Sequence, residues 1–320
     1  MALAVPLSCD YPIKMAMEST ATARLAHISD LHLTTSPLGW RWRDMFTKRT
    51  GGLLHLKVGR GSGFRDAERI VRSLRDEFRT RGIDHVIFSG DATSLGFPAE
   101  MEAAVDALGL RGGTALPGLA VPGNHDSYTK SAVRSGAFER LFAPWQVGER
   151  IGAERYPFAQ RVGPCWLVGV NSSRSNSLVW DSRGEIGREQ AERLRQLLDR
   201  LSPGPRILVT HYPLYLADGL PESRWRRLRD ADQIADLAGR FHIALWLHGH
   251  RHNNYRVTAD AARPVATICA GSTTQTGRAG WNEYLVEGTR LTMLRRVWDG
   301  TTGHFVDGES VVIDPLPLPD

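Results

Sequence analysis

Leu25-Ala26-His27-Ile28-Ser29-Asp30-Leu31-His32 carries the decisive reading: an apolar run with the look of a buried strand passes directly into two polar side chains able to bind a metal. The same form recurs four times. Ile83 to Phe88 ends in Ser89-Gly90-Asp91, and Leu119 to Val121 in Pro122-Gly123-Asn124-His125-Asp126. Ile207 to Val209 ends in Thr210-His211-Tyr212-Pro213, and Ile243 to Leu247 in His248-Gly249-His250-Arg251-His252. Between these strands Ala67, Ile70, Val71, Leu74 and Phe78 recur at helical spacing until Gly82 stops them, while residues 98–108 and Arg188 to Leu201 also read as helices. Strand alternating with helix predicts an α/β fold with crossover helices. Trp166 to Val170 adds a strand, and the segments Val265 to Cys269, Tyr284 to Val286 and Leu291 to Val297 read as strands of a second sheet. No linker, repeat or low-complexity tract divides the chain.

In open α/β sheets ligands gather in the crevice beyond the carboxyl ends of the strands, so clusters far apart in sequence can converge there. Asp30 and His32 are two residues apart, as are His250 and His252, and in extended backbone such a pair points to one side, where it can reach one ion. Gly90, Gly123 and Gly249 permit sharp turns and close approach of the backbone to a metal. One histidine alone is most often a satisfied polar residue. Five clusters with compatible spacing point to a site.

Composition bounds the rest. The chain has 320 residues, of which 42% are hydrophobic and 23% charged, the balance of an ordinary globular protein and not of a disordered or fibrous one. Cys9, Cys165 and Cys269 are too few and too scattered for a disulfide framework, which suits a reducing, cytoplasmic compartment. No apolar run approaches the length of a membrane span. The apolar start Met1 to Leu7 lacks a basic segment and contains Pro6, a poor export signal. The formal net charge of +5 is uneven: residues 41–65 hold Arg41, Arg43, Lys48, Arg49, Lys57, Arg60 and Arg65 against Asp44 alone. Trp40, Trp42, Met45, Phe46, Leu53, Leu54 and Leu56 are interleaved with them. The mixture suits an anionic membrane surface or an anionic, partly apolar ligand, and equally a solvated segment tucked on the body. On the membrane reading, Trp40, Trp42, Phe46 and Leu54 enter the interface while Arg41, Arg43, Lys48 and Arg49 meet phosphate groups.

Asp30-x-His32, Gly90-Asp91, Gly123-Asn124-His125-Asp126, His211 and Gly249-His250-x-His252, in that order, resemble the motif set of the calcineurin-like metallophosphoesterases over about residues 24 to 255. The resemblance implies an α/β fold of two stacked mixed β-sheets flanked by helices, with a dinuclear metal centre at the strand ends. It divides the chain into an N-terminal tail over 1–22, a metallophosphoesterase domain over 23–300 with an insertion at 35–65, and a C-terminal tail over 301–320. It also implies that one ion is held by Asp30, His32, Asp91 and His252 and the second by Asp91, Asn124, His211 and His250. Imidazole and oxygen donors suit two divalent ions such as Mn, Fe or Zn. Two such ions can share a hydroxide that serves as nucleophile in an in-line attack. His125 is then the candidate to stabilise the transition state or protonate the leaving group. Asp126 either orients His125 by accepting a hydrogen bond or is a turn residue or helix N-cap. His248 either faces away from the ligand pair or supplies it with a hydrogen bond. His27, His55, His85, His242 and His304 receive no role.

The expected function is thus a two-metal phosphoester hydrolase acting on a phosphodiester or a nucleotide pyrophosphate. The opening motif is similar to that of bacterial cyclic-nucleotide phosphodiesterases. The basic, Trp-rich insertion resembles that of UDP-2,3-diacylglucosamine hydrolases, which would add a peripheral contact with lipid at the inner face of the membrane through 40–65. A nuclease ranks lower, because the positive charge is confined to one stretch. A non-catalytic scaffold ranks lowest, because every ligand type is present. The sequence leaves oligomeric state open.

Overall fold

The computed structural model describes residues 22–58, 60–176, 178, 180–314 and 316–318. The N-terminal tail expected over 1–22 lies outside them except for Thr22, which opens the first strand. The chain runs β1 (Thr22–Ile28), α1 (Lys48–Val58), α2 (Ala67–Arg81), β2 (His85–Phe88), α3 (Pro98–Ala107), β3 (Gly118–Ala120), α4 (Lys130–Ser135) and α5 (Ala137–Leu141). It continues through β4 (Glu149–Arg150), β5 (Phe158–Val162), β6 (Cys165–Gly169), α6 (Arg188–Arg200), β7 (Arg206–Val209), α7 (Ala231–Arg240), β8 (Leu245–His248), β9 (Asn254–Val257) and β10 (Thr267–Ala270). A meander of β11 (Gly280–Glu287), β12 (Arg290–Asp299) and β13 (His304–Ile313) closes it.

These strands form two mixed sheets, ordered β13-β12-β11-β1-β2-β3 and β4-β5-β6-β7-β8-β10-β9. Alternation along each central strand divides its side chains between two cores. Leu25, Ile87 and Leu119 of the first sheet meet Leu167, Ile207, Val209, Leu245 and Leu247 of the second inside the sandwich. Ala26, Ile28, Val86 and Phe88 pack instead with the apolar stripes of α2 and α3. Trp166, Val168, Leu208 and Trp246 pack with α6 and α7. Gly82, in the left-handed conformation, ends α2. Among the described residues no helix is long and apolar enough to cross a membrane.

Two expectations need correction. Of the three late segments assigned to a second sheet, only β10 lies there; β11 pairs antiparallel with β1, and β12 follows it into the first sheet. The crossover through α2 takes β1 to β2 on one side and leaves its other edge open. β11 covers that edge and turns Tyr284 and Val286 into the sandwich. Residues 301–320 are also more than a tail, because β13 is the edge strand of the first sheet. Its side chains are mostly exposed, with Phe305 buried, so it lacks the alternation that marks a strand in sequence.

The insertion has a defined seat. A 3-10 turn over Trp42–Phe46 leads into α1, and another over Arg60–Phe64 leads out. Arg49 is the anchor: it pairs with Asp44 at 2.5 Å, donates to the carbonyls of Leu95 at 3.0 Å and Gly96 at 2.5 Å, and stacks 3.9 Å over the Phe97 ring. Arg49 is buried and so cannot meet the phosphate groups expected of it. At Gly52 a Cβ would lie 2.6 Å from both Leu95 Cδ2 and Tyr128 Oη, so α1 approaches the body more closely than a side chain allows. Glu100 holds the receiving loop from below, its Oε2 accepting from Leu95 N and Phe97 N at 3.0 Å each.

Burial pushes the Glu100 carboxyl up to about 7, against 4.5 in an open chain. The folded state therefore binds this proton more tightly than the unfolded state does. Its contribution is complete below pH 4.5 and is lost as pH rises through 7, a fall of about 3 kcal/mol. Urea unfolding of wild type and Glu100→Gln at pH 5, 6 and 7 is expected to show wild type losing stability relative to the variant across that range. A constant difference between the two would mean that Glu100 stays ionised in the fold.

Candidate metal centre

β1, β2, β3, β7 and β8 deliver their polar clusters to one rim of the sandwich. The local backbone differs from the extended form expected of the i, i+2 pairs. Asp30, His32, Asp91, His250 and His252 all have φ between 45° and 71°, in the left-handed region. Asp and His are among the residues that tolerate it. The left-handed turns keep the chain beside its neighbour while both side chains of each pair turn inward. Asp30 N donates to Gly90 O at 2.9 Å, His32 N to Asp91 O at 3.0 Å and Leu33 N to Ala92 O at 2.9 Å, prolonging the β1–β2 contact past its last pair. Two glycines make room. A Cβ on Gly123 would lie 2.1 Å from Asp91 Oδ1, and one on Gly249 would lie 1.9 Å from Ser29 Oγ and 2.6 Å from Asp30 Oδ2.

All seven residues expected as ligands come together. In one group His252 Nε2 lies 3.3 Å and His32 Nε2 3.7 Å from Asp30 Oδ1, while His32 Nε2 is also 3.7 Å from Asp91 Oδ2. In the other His211 Nε2 lies 3.4 Å from Asp91 Oδ2, and Asn124 Oδ1 sits 3.0 Å from His211 Nε2 and 2.8 Å from His250 Nδ1. Asp91 Oδ2 faces both groups.

The donor set fits divalent ions by its hydrogen bonding. His32 Nδ1 bonds to the Thr93 carbonyl at 3.1 Å, His211 Nδ1 to the Ser89 carbonyl at 2.8 Å and His252 Nδ1 to Gln275 Oε1 at 2.8 Å. Each acceptor fixes a ring proton on Nδ1 and turns Nε2 inward; against the burial that opposes it, the Asp91 carboxylate raises the His211 imidazole to about 9, so a cation bound there would displace a proton from Nε2. The Nε2 atoms of His32 and His252 nevertheless stand 3.0 Å apart, an arrangement that two lone pairs oppose and a shared cation relieves. Asp30 Oδ1 is buried without a hydrogen-bond donor. Burial opposes ionisation of Asp30 and Asp91, yet the imidazoles around them hold both carboxyls well below the usual range. Burial also keeps His250 neutral, as a ligand must be.

His125 stands beside this centre. A ring nitrogen of His125 lies within 4.8 Å of donor atoms of His32 and Asp91, and its Nδ1 bonds to the Ser94 carbonyl at 2.7 Å. Its ring stacks on Tyr128 with centroids 5.2 Å apart. The expectation that Asp126 orients His125 is corrected. The 123–127 segment turns back on itself, so the Asp126 carboxylate points under the β2 loop. There it accepts from the backbone N–H groups of Asp91, Thr93 and Gly123 at 2.9 to 3.1 Å, from Ala92 N at 3.3 Å, and from Thr93 Oγ1 at 3.1 Å. It is a turn residue that fixes Asp91. His248 is buried, bonds to the neighbouring Gly249 carbonyl at 3.0 Å and makes no contact with the ligand pair, the first of the two readings given to it.

Sequence reasoning missed Ser94 and Gln275, and it assigned Lys48 to a membrane surface and not to this cavity. Gln275 had a signal: Ser272-Thr273-Thr274-Gln275 follows β10 as the other clusters follow their strands. Ser272 Oγ donates to Asp30 O and Thr274 Oγ1 to Leu31 O, both at 2.7 Å, so this sixth cluster braces the first motif. Ser94 acts through its carbonyl, which no residue type reveals. Lys48, with Gly51, Gly52 and His55 of α1, lines a cavity of about 630 Å³ shared with Asp91, Asn124, His125, His250 and His252. Burial lowers the Lys48 ammonium to about 8.

A sequence model described as calcineurin-like phosphoesterase matches residues 23–254. A dimetal phosphatase from Danio rerio shares the fold with a TM-score of 0.60 at 12% identity, over 92% of this chain and 99% of that one. A purple acid phosphatase from yellow lupin, Lupinus luteus, does so with a TM-score of 0.57 at 14% identity, over 92% of this chain and 54% of that one, so this chain spans about half of the lupin enzyme. None of the curated proteins compared with the chain by sequence matches it.

Asp126→Asn places an amide NH2 among backbone donors while sparing the bond between His125 and Ser94. The expected result is a loss of about 2 to 4 kcal/mol in urea unfolding and weaker metal retention on dialysis, with the pH profile of residual turnover unmoved. A shifted profile at unchanged stability would make Asp126 the partner of His125 after all.

Proposed function

The chain belongs to the calcineurin-like phosphoesterase family and is a metal-dependent phosphoester hydrolase, and from that premise we propose that it cleaves phosphodiesters or phosphoanhydrides at a centre of two divalent ions. The observation that carries the proposal is Asp91 Oδ2, which faces His32 Nε2 on one side at 3.7 Å and His211 Nε2 on the other at 3.4 Å. Asp30, His32 and His252 complete the first group and Asn124, His211 and His250 the second. When bound, the ions supply the positive charge that draws in and polarises a phosphoryl group and lowers the pKa of water.

The chain's own residues do the rest. The carbonyls of Thr93 and Ser89 and the side chain of Gln275 keep three imidazoles oriented with Nε2 inward. Ser94 holds the His125 proton at Nδ1, so Nε2 is the nitrogen that exchanges a proton with the leaving oxygen. Asp91 Oδ1 accepts from His125 N at 2.7 Å, which ties this group to the carboxylate between the two ligand sets.

Two metals per chain are expected on elemental analysis of fully loaded protein. Asp91→Ala should lose both and nearly all turnover. His125→Ala should keep both and lose 10²- to 10⁴-fold in rate on a substrate with a poor leaving group, the usual contribution of general acid catalysis. A panel of bis-p-nitrophenyl phosphate, 3′,5′-cyclic AMP and UDP-2,3-diacylglucosamine separates the substrate classes. One ion per chain, or a fully active His125→Ala enzyme, would overturn this scheme.

A peripheral contact with an anionic lipid surface is supported by the outer side of the insertion. Trp42, Met45, Phe46, Leu54 and Val58 are 61 to 85% exposed. Arg41 and Arg43 are exposed beside them, with the Arg43 guanidinium 5.2 Å over the Trp42 ring. Indole and phenyl rings flanked by arginine match an interface of apolar chains and phosphate headgroups. A cytoplasmic location is in keeping with Cys165 and Cys269, buried thiols that burial pushes up to about 12. In sedimentation with anionic vesicles, Trp42→Ser/Phe46→Ser is expected to bind at least tenfold more weakly than wild type, and high salt should release both. Absence of salt-sensitive binding by wild type would make these residues an ordinary exposed surface.

A further inference from the structure

The cavity over the metal centre carries more positive charge than the ligand sets require. Among the described residues, five basic side chains besides the histidines line it: Lys48, Arg174, Arg226, Arg251 and Arg278. Three of them are engaged. Arg174 pairs with Glu185, Arg251 with Glu222 at 2.5 Å, and Arg278 donates to Asn253 Oδ1 at 2.6 Å. Asp181, the lining carboxylate outside the metal ligands, is neutralised by Arg183 at 2.7 Å. Lys48 and Arg226 remain: among the described residues neither has a carboxylate within ion-pair distance or a side-chain hydrogen bond.

We propose that Lys48 and Arg226 form an anion subsite beside the metal centre, which takes a second phosphate of the substrate, so that the preferred substrate is a diphosphate-linked ester. The proposal rests on the hydrolase reading and narrows it. Lys48 reaches the cavity from α1, where its Nζ lies 4.3 Å over the Tyr128 ring. That ring stacks in turn on His125, so Tyr128 lies between the ammonium and the group assigned to the leaving oxygen. Arg226 comes from the segment between β7 and α7 and lines the same cavity as His250. The two cations thus reach one cavity from separate parts of the chain. A half-buried ammonium without an anion is a costly arrangement, and a phosphate oxygen satisfies it. About 630 Å³ is also far more than one phosphoryl group fills and lies within the range of sites for larger ligands. A 3′,5′-cyclic monophosphate, with one negative charge held by the metals, would leave both cations unmatched.

The test compares methylenediphosphonate with methylphosphonate by calorimetry on metal-loaded wild type, Lys48→Met, Arg226→Gln and the double variant, with metal content measured in each. Wild type should bind the diphosphonate at least tenfold more tightly, and the preference should fall at least fivefold in each single variant and vanish in the double variant. In parallel, kcat/KM for UDP-glucose should fall at least tenfold more than kcat/KM for bis-p-nitrophenyl phosphate, mainly through KM. An unchanged diphosphonate preference in variants with full metal content would overturn the subsite. Equal losses on both substrates would overturn it too, assigning Lys48 a structural role through Tyr128. A wild type that tracks a single-stranded oligonucleotide better than UDP-glucose would replace the diphosphate with successive phosphates of a nucleic acid. Failure of the hydrolase reading is seen separately, as a doubly metallated wild type that cleaves neither phosphate ester but still prefers the diphosphonate.

Discussion

Two carboxylates, Asp30 and Asp91, set the terms for the rest of the molecule. They are 0% and 1% exposed, and a carboxylate withdrawn from water costs several kcal/mol unless donors or cations meet it. Their inner oxygens are met by backbone N–H groups: His250 N reaches Asp30 Oδ2 at 3.0 Å and His125 N reaches Asp91 Oδ1 at 2.7 Å. Among the described residues their outer oxygens are met by imidazole nitrogens, and the hydrogen bonds behind the rings of His32, His211 and His252 turn Nε2 toward them. The centre is an arrangement of lone pairs aimed at common points. A cation would complete it.

Holding those lone pairs in place is a backbone problem. Five candidate ligand residues in the left-handed region cost on the order of 1 kcal/mol or more each, which only over-determined surroundings can sustain. The surroundings are a belt of local hydrogen bonds. The first motif is tied to the β2 loop by backbone pairing and to the β10 loop by Ser272, Thr273 and Thr274. Asp126 gathers four backbone N–H groups under Asp91. Gly123 and Gly249 are present because those carboxylates occupy the space a Cβ would need.

The strand-to-cluster form at Ile28, Phe88, Val121, Val209 and Leu247 was legible because buried parallel strands are short continuous apolar runs, and ligand residues have to follow them directly. The same form after β10 was overlooked, since Ser and Thr are ordinary loop residues and their role here lies in bonding to carbonyls. Asp126 was left between two roles for a related reason. Its residue type suits a partner for histidine and an anchor for N–H groups equally, and only the turn at 123–127 decides where the carboxylate points. The place of β11 and the strand character of β13 were hidden because strand pairing depends on which edge is open, a property of the whole sheet. Left-handed φ at His32, His250 and His252 has no residue signal either.

The insertion remains the most informative departure from simple patterning. An ordinary surface helix turns its apolar stripe to the body, whereas α1 exposes Leu54 and Val58 and turns Lys48, Gly51 and Gly52 to the cavity. Two adjacent glycines weaken a helix by about 1 kcal/mol each relative to alanine, so α1 is not there for its own stability. Its position depends instead on Arg49, whose guanidinium is held by the carbonyls of Leu95 and Gly96. Those carbonyls belong to the loop that Glu100 braces, and the adjacent Ser94 carbonyl orients His125. One loop therefore supports both the helix that carries Lys48 over the cavity and the His125 imidazole beside the candidate metal centre. Any displacement of that loop moves the two together, which is why an insertion with no counterpart in the motif set is nonetheless built into the geometry of the centre.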